Sequence, residues 1–498
     1  MAAVESIKST DTDSLVLCYK RRKRRRIIIE EKPNDPIQID IEKLPDALLF
    51  EVLYRLPCRW ALRYRSVSKR WCSLISHPQF ARSYIHHRHQ FSKSDTDPFT
   101  LVLHYRNQFN NNILALPFYN DSGDGGGGSD GDGDGLDFLN FLPDIEGTRK
   151  GYTFSIEASF NDLLLVYREV PHILCRYWHW IGPAFRAYCI CNPLTKQWIT
   201  LPYLPFPKSN RVVLVGFICN LYSCDKEQGC TTNAHYSYKV VRILSPTESD
   251  ATQIHMDIFS SDTGEWCGSL VSSPRGLNPF HKRSSNAGVV ACNGMLHWVD
   301  ENDRTIKGFV VFDPFNEAHG CRYIDPPSDL CLGDFVYLGV FQGRLRIFQK
   351  SFFHNNFSVW ELEDYNNAGK WGLKYKVYFK DMVSEYTDLV KIAKQILPPV
   401  LLLDFHPNVG EIVFLQFHDY IVLCNMRTKV LTMAGRLRDR GRILAGNFSL
   451  QAYNGYAKYV FIVGQSSWPT PVPLPLKREW DFLLTLAEVA SKLDSARS

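Results

Sequence analysis

The chain of 498 residues has no apolar run approaching the roughly 18–20 residues a membrane-crossing helix requires. Its best run, 212–219, is strand-sized. Residues 1–19 lack the apolar core of a secretory signal, so an intracellular protein is expected. No C-x-x-C pair occurs among the 14 Cys, which are scattered from Cys18 to Cys424. Four close zinc ligands are therefore not visible, and reduced, mostly buried thiols are expected. G-x-S-x-G, H-E-x-x-H and P-loop patterns are also missing, so no catalytic residue, cofactor or metal is assigned. Charge of one sign is scarce. The net charge is +5, yet Lys20, Arg21, Arg22, Lys23, Arg24, Arg25 and Arg26 carry seven cations, and without them the remainder falls to −2. A body that bound nucleic acid would carry a basic face of its own, which argues against nucleic acid as a partner.

What is present is a globular composition, 45% apolar and 22% charged, with 13% aromatics that favour strands. Residues 1–37 hold polar residues, the basic run and the breakers Pro33, Asn34, Asp35 and Pro36, and are expected to be disordered. The run reads as a nuclear-import signal, with a nucleic-acid tether or a plain solvated tail as alternatives. Nucleus or cytoplasm is the expected location, with the nucleus favoured.

Residues 38–85 change character. Leu44, Leu48, Leu49, Val52, Leu53 and Leu56 recur at helical spacing. Pro45 suits a helix start and Pro57 a helix stop. A second set, Leu62, Val67, Trp71, Leu74 and Ile75, ends at Pro78. Two or three short helices over about 40 residues cannot bury all this apolar surface, so one stripe is expected to be covered by a partner.

From 98 to 475 the pattern is β. Short runs such as 163–167, 238–243, 295–299, 357–362 and 412–417 alternate with turn signals at 262–264, Asn293-Gly294 and Gln342-Gly343. So many strands exceed one sandwich, and a propeller is the natural solution. Turn-to-Trp pairs at Trp198, Trp266 and Trp298 hint at repeats without a regular period. An acidic Gly-rich loop at 117–137 is inserted, and 478–493 reads as a terminal helix. The loop carries Asp130, Asp132, Asp134 and Gly135 at calcium-loop spacing, but the twelfth position is Phe141 rather than Glu. Gly123, Gly125 and Gly128 lack the strand and helix a dinucleotide site needs. His86, His87 and His89 read as a solvated helix end rather than a metal site.

The stretch EKLPDALLFEVLYRLPCRWALRYRSVSKRWCSLISHPQFAR, residues 42–82, resembles a plant F-box. It has the pairs Leu44-Pro45 and Leu56-Pro57, and Val67 ahead of Ser68 to Trp71. The segments YCICNPLTKQWITLP, VVACNGMLHWV, FVVFDPF, LGVFQGRLRIF, FSVWELED and IVLCNMRTKVL resemble a plant F-box-associated, kelch-type β-propeller. Asn161-Asp162 departs from that family's usual Asn-Gly, and the paired glycines of kelch repeats proper are not regular here. The resemblance implies a multidomain fold: a small helical F-box, then a large β-propeller-like domain and a C-terminal helix. It implies a non-catalytic substrate receptor of an SCF-type cullin–RING ubiquitin ligase. The F-box would dock a Skp-type adaptor, and the β domain would hold an unknown protein substrate. By the same implication Leu44, Pro45, Leu49, Val52, Leu53, Leu56 and Pro57 face the adaptor. Val67, Trp71 and Leu74 either extend that surface or pack the module. Leu53→Asp is then expected to abolish adaptor binding. A nuclear nucleic-acid-associated protein and a propeller enzyme with an accessory helical module are the competing readings.

Overall fold

The computed structural model describes residues 43–87 and 99–473, apart from short interruptions and the stretches 119–138, 143–153, 170–185, 203–212, 221–235, 281–287 and 437–458. The basic run, the tip of the acidic loop, Pro57 and the expected helix at 478–493 lie outside the described residues.

Three short helices open the described chain: α1 (Asp46–Arg55), α2 (Cys58–Arg63) and α3 (Lys69–Ser76). The carbonyl of Pro45 accepts the first bonds of α1, from the N–H groups of Leu48 and Leu49. Ser68 caps α3, its hydroxyl accepting from the Trp71 N–H at 3.3 Å.

The strands form six antiparallel sheets. Blade 6 contains β1 (Phe99–Arg106) and β2 (Asn111–Phe118). Blade 1 is β3 (Phe154–Phe160), β4 (Leu163–Glu169), β5 (Arg186–Asn192) and β6 (Gln197–Thr200). Blade 2 is β7 (Val213–Asn220), β8 (Ser237–Leu244), β9 (Ala251–Ser260) and β10 (Glu265–Leu277). Blade 3 is β11 (Val290–Cys292), β12 (Met295–Asn302), β13 (Thr305–Phe312) and β14 (Cys321–Ile324). Blade 4 is β15 (Phe335–Phe341), β16 (Arg344–Lys350), β17 (Asn356–Leu362) and β18 (Trp371–Tyr378). A short helix, α4 (Thr387–Ala393), precedes blade 5: β19 (Val400–Phe405), β20 (Ile412–Phe417), β21 (Tyr420–Asn425) and β22 (Val430–Arg436). The last strand, β23 (Tyr459–Gly464), returns to pair with β1.

The first strands of neighbouring blades touch in sequence: β3 meets β7, then β11, β15, β19 and β23, which meets β3 again. This is a closed six-bladed propeller, a ring that leaves only short, protected sheet edges at its centre. One apolar cluster fills each blade interface. Successive residues of a strand point to opposite faces, so Val240 packs toward blade 1 and Val241 toward blade 3. Leu163 and Leu165 likewise face blade 2, while Leu164 and Val166 face blade 6. A strand buried on both faces reads as a continuous apolar run, which is why the middle strands carry the expected β signal.

The expected turns are in place. Asn293-Gly294 joins β11 to β12 and Gln342-Gly343 joins β15 to β16, with φ of 51° and 75°, and 47° and 74°. Positive φ at both positions suits a tight hairpin with glycine second. The hairpins joining third to fourth strands in blades 1 and 5 share one construction. Asn192 and Asn425 each accept two backbone N–H bonds through Oδ1, and Lys196 and Lys429 take φ of 57° and 62°. Single side-chain bonds also tie blades together. The Trp266 indole N–H donates to the Pro202 carbonyl, that of Trp371 donates to Asp325, and the Cys292 thiol donates to Gly343.

Candidate functional site

The helical module sorts its apolar residues into two groups. Leu49, Leu53, Ala61, Trp71, Ile75, Phe80 and Tyr84 are buried. Tyr54, Phe80 and Tyr84 form an aromatic cluster with ring centroids 5.2–6.4 Å apart. The Tyr84 hydroxyl donates to the Leu56 carbonyl, closing the end of α1. Trp71 packs edge-on against Tyr64 at 5.6 Å.

The second group faces water. Leu48, Val52 and Val67 are 54%, 48% and 55% exposed, and Pro45 is exposed as well. Pro45, Leu48 and Val52 recur three and four residues apart, so they share one face of α1. Trp60 is also exposed, with the Arg63 guanidinium 5.4 Å from its ring centroid. Pro45, Leu48 and Val52, exposed together along one side of a short helix, mark a surface for a partner.

The residues expected to face the adaptor are thus divided. Pro45, Val52 and Val67 are exposed, and Leu44, Leu56 and Leu74 are half-buried. Leu49, Leu53 and Trp71 lie inside the chain's own core, so none of them presents a surface. Of the residues expected either to pack the module or to extend that surface, Trp71 is buried, Leu74 is half-buried and Val67 is exposed. Leu48, which the resemblance did not assign, joins the exposed face. The 3.6-residue period finds a stripe but does not say which edge of it the neighbouring helices cover.

Three buried titratable groups of the propeller are engaged by the chain itself. His297 contacts the Tyr365 hydroxyl through Nε2 at 2.8 Å and the Val290 carbonyl through Nδ1 at 3.3 Å. Burial lowers its pKa to about 4 and keeps it neutral. His406 is lowered to about 4 by the same cause, and its Nδ1 accepts from the N–H groups of Asn408 and Val409. Burial raises Asp404 to about 7, beside the Tyr337 hydroxyl. Among the described residues no cluster of His, Cys, Asp or Glu has the makings of a metal site. Large apolar side chains are exposed on the ring at Phe335 and Phe353 of blade 4 and at Val383 and Tyr386 in the connection to blade 5.

Residues 150–460 match the family of F-box protein At3g26010-like beta-propellers, and residues 41–83 match the F-box domain. F-box protein At3g23970 of Arabidopsis thaliana is 24% identical over 417 residues, which cover 81% of this chain and 89% of that one. F-box protein At3g26010 of the same plant is 23% identical over 405 residues, 78% of each chain. Among solved structures, an alpha-L-arabinanase of Penicillium chrysogenum superposes with a TM-score of 0.31 and 11% identity, over 54% of this chain and 77% of that one. A likeness that distant carries no argument about activity.

Proposed function

The chain belongs to the family of F-box protein At3g26010-like beta-propellers, and on that premise we propose that it is the substrate-recognition subunit of an SCF-type cullin–RING ubiquitin ligase. The observation that carries this reading is the exposed apolar face of α1, formed by Pro45, Leu48 and Val52. A Skp-type adaptor covers that face, with Val67 as a further contact, and bridges to the cullin. The propeller holds a protein substrate, and the complex works by raising the substrate's effective concentration at the conjugating enzyme. The chain contributes recognition, and the chemistry belongs to its partners. The basic run Lys20 to Arg26 directs import into the nucleus.

The test is co-purification of the full chain with a Skp-type adaptor, wild type against Val52→Asp. Val52 is half exposed, so an aspartate there stays solvated in the free chain and becomes a buried unpaired charge only in the complex. Capture by the wild type and its loss in the variant, with the variant's melting temperature unchanged, is the expected outcome. Equal capture of both proteins refutes the assigned face.

A further inference from the structure

The turn between β3 and β4 carries Asn161-Asp162, where the equivalent turns of blades 3 and 4 end in Gly294 and Gly343. Asn161 has a φ of 53°, as the first residue of the other turns does, but Asp162 is not a solvated turn residue. It is fully buried. Its Oδ2 accepts two bonds, from Asn192 Nδ2 at 2.9 Å and from the Thr470 N–H at 2.8 Å. Asn192, the last residue of β5, is also fully buried, and its Nδ2 donates a second bond to the Thr470 carbonyl at 2.7 Å. Two side chains of blade 1, 308 and 278 positions away, therefore grip both backbone polar groups of one residue.

Thr470 belongs to a short strap, residues 469–473, that follows the ring-closing strand β23. The strap reads Pro-Thr-Pro-Val-Pro, so only Thr470 and Val472 have backbone N–H groups. The Tyr236 hydroxyl donates to the Pro471 carbonyl at 2.8 Å, and Val472 packs into the cluster between blades 1 and 2 with Tyr188 and Phe217. A strap with so few donors forms no sheet ladder, and side chains hold it instead.

We propose that Asp162 and Asn192 form a clasp that holds the strap behind the ring-closing strand, and that the proton occupancy of Asp162 sets how firmly the clasp holds. Asp162 Oδ1 is buried and receives no hydrogen bond, and among the described residues no cation pairs with the carboxylate. The titratable groups around it are Cys219 on β7 and Tyr236 ahead of β8. Burial raises Cys219 and Tyr236 far above their usual ranges, so both stay neutral from pH 5 to 7.5. The strap itself has no ionisable side chain. Covering an ionised carboxylate without a cation is costly, and a proton relieves that cost. Burial accordingly raises Asp162 to about 6, against smaller opposing effects of the bonds from Thr470 and Asn192.

The sign follows from linkage. The docked strap keeps Asp162 covered and favours the proton, whereas a released strap returns it to water and to an ordinary carboxylate pKa. The clasp is therefore firmest in mild acid and loosens as pH rises through about 6. A carboxyl titrating near 6 when covered and near 4 when free favours docking about tenfold more at pH 5 than at pH 7.5.

Hydrogen exchange of the strap, measured on the full chain by mass spectrometry, tests this. Protection is taken as the ratio of intrinsic to observed rate at each pH. In the wild type, protection of Thr470 and Val472 should rise about tenfold from pH 7.5 to pH 5. Asp162→Asn should remove the rise. Tyr236→Phe, which deletes a strap contact without touching the carboxyl, should lower protection equally at both pH values and keep the tenfold ratio. Circular dichroism of each variant shows that the ring is folded. Wild-type protection that is flat or falls toward pH 5, or a tenfold rise retained in Asp162→Asn, overturns the proposal. Should Asp162→Asn fail to fold, the Tyr236→Phe ratio decides alone: a flat profile refutes it and a tenfold ratio supports it.

Discussion

Replacing Glu361 with Leu should destabilise the ring by about 3–5 kcal/mol, whereas replacing Arg346 with Met in the same chain should restore most of that loss. Glu361 on β17 is 3% exposed and Arg346 on β16 is 5% exposed. Arg346 donates to Glu361 Oε2 from Nε at 2.9 Å and from Nη2 at 2.7 Å, and its Nη1 donates to the Gly410 carbonyl of blade 5 at 2.9 Å. The guanidinium also lies 4.1 Å from the ring centroid of Phe341. Arg344 reaches Glu361 Oε1 at 2.9 Å from a largely exposed position. Burial alone would raise the Glu361 carboxyl, but the bonds from Arg346 and Arg344 outweigh it and hold it below the usual carboxylate range. Two desolvated charges thus compensate each other within blade 4, and the arginine also ties that blade to blade 5 through the Gly410 carbonyl. Removing one leaves the guanidinium buried against a carbonyl and a ring. Removing both exchanges a compensated pair for apolar contacts, which is often nearly neutral. Urea unfolding of the wild type, both single variants and the double variant gives the coupling energy directly. A double variant as unstable as Glu361→Leu, or a single variant within about 1 kcal/mol of wild type, refutes the reasoning.

Two further predictions concern the N-terminal part of the chain. Leu53→Asp should melt the helical module rather than merely uncouple it, because Leu53 is fully buried and an unpaired charge there costs several kcal/mol. A loss of helical circular dichroism alongside the loss of adaptor capture is expected, and a folded, non-binding variant would contradict it. Substituting Lys20 to Arg26 with alanine should shift a fluorescent fusion of the full chain from nucleus to cytoplasm, and unchanged nuclear signal would assign the run another role.

The contrast between Val52 and Leu53 also shows what the sequence can and cannot disclose. Helical spacing and the two Leu-Pro pairs locate α1, yet both residues belong to the same apolar stripe. Only the packing of the module places Leu53 inside and Val52 in water. The propeller shows the same limit on a larger scale. Middle strands such as β4, β8, β13 and β20 are covered on both faces and stand out as unbroken apolar runs. The outer strands β6, β10, β14, β18 and β22 do not, because one side of each faces solvent. In β10 the exposed positions Glu265, Cys267 and Gly268 interrupt the apolar ones. A blade therefore reads as two or three strands instead of four, and no regular period or blade number emerges. Asp162 is the sharpest instance. Its residue type is visible as a departure from Asn-Gly, and an acid at the end of the apolar strand pair β3 and β4 is a signal worth following. Its partner Thr470 lies at the far end of the chain, inside a proline-rich stretch with no strand or helix pattern. Local periodicity carries no trace of a contact of that sequence separation. It exists because closing the ring brings the last strand, and the strap behind it, back to the first complete blade.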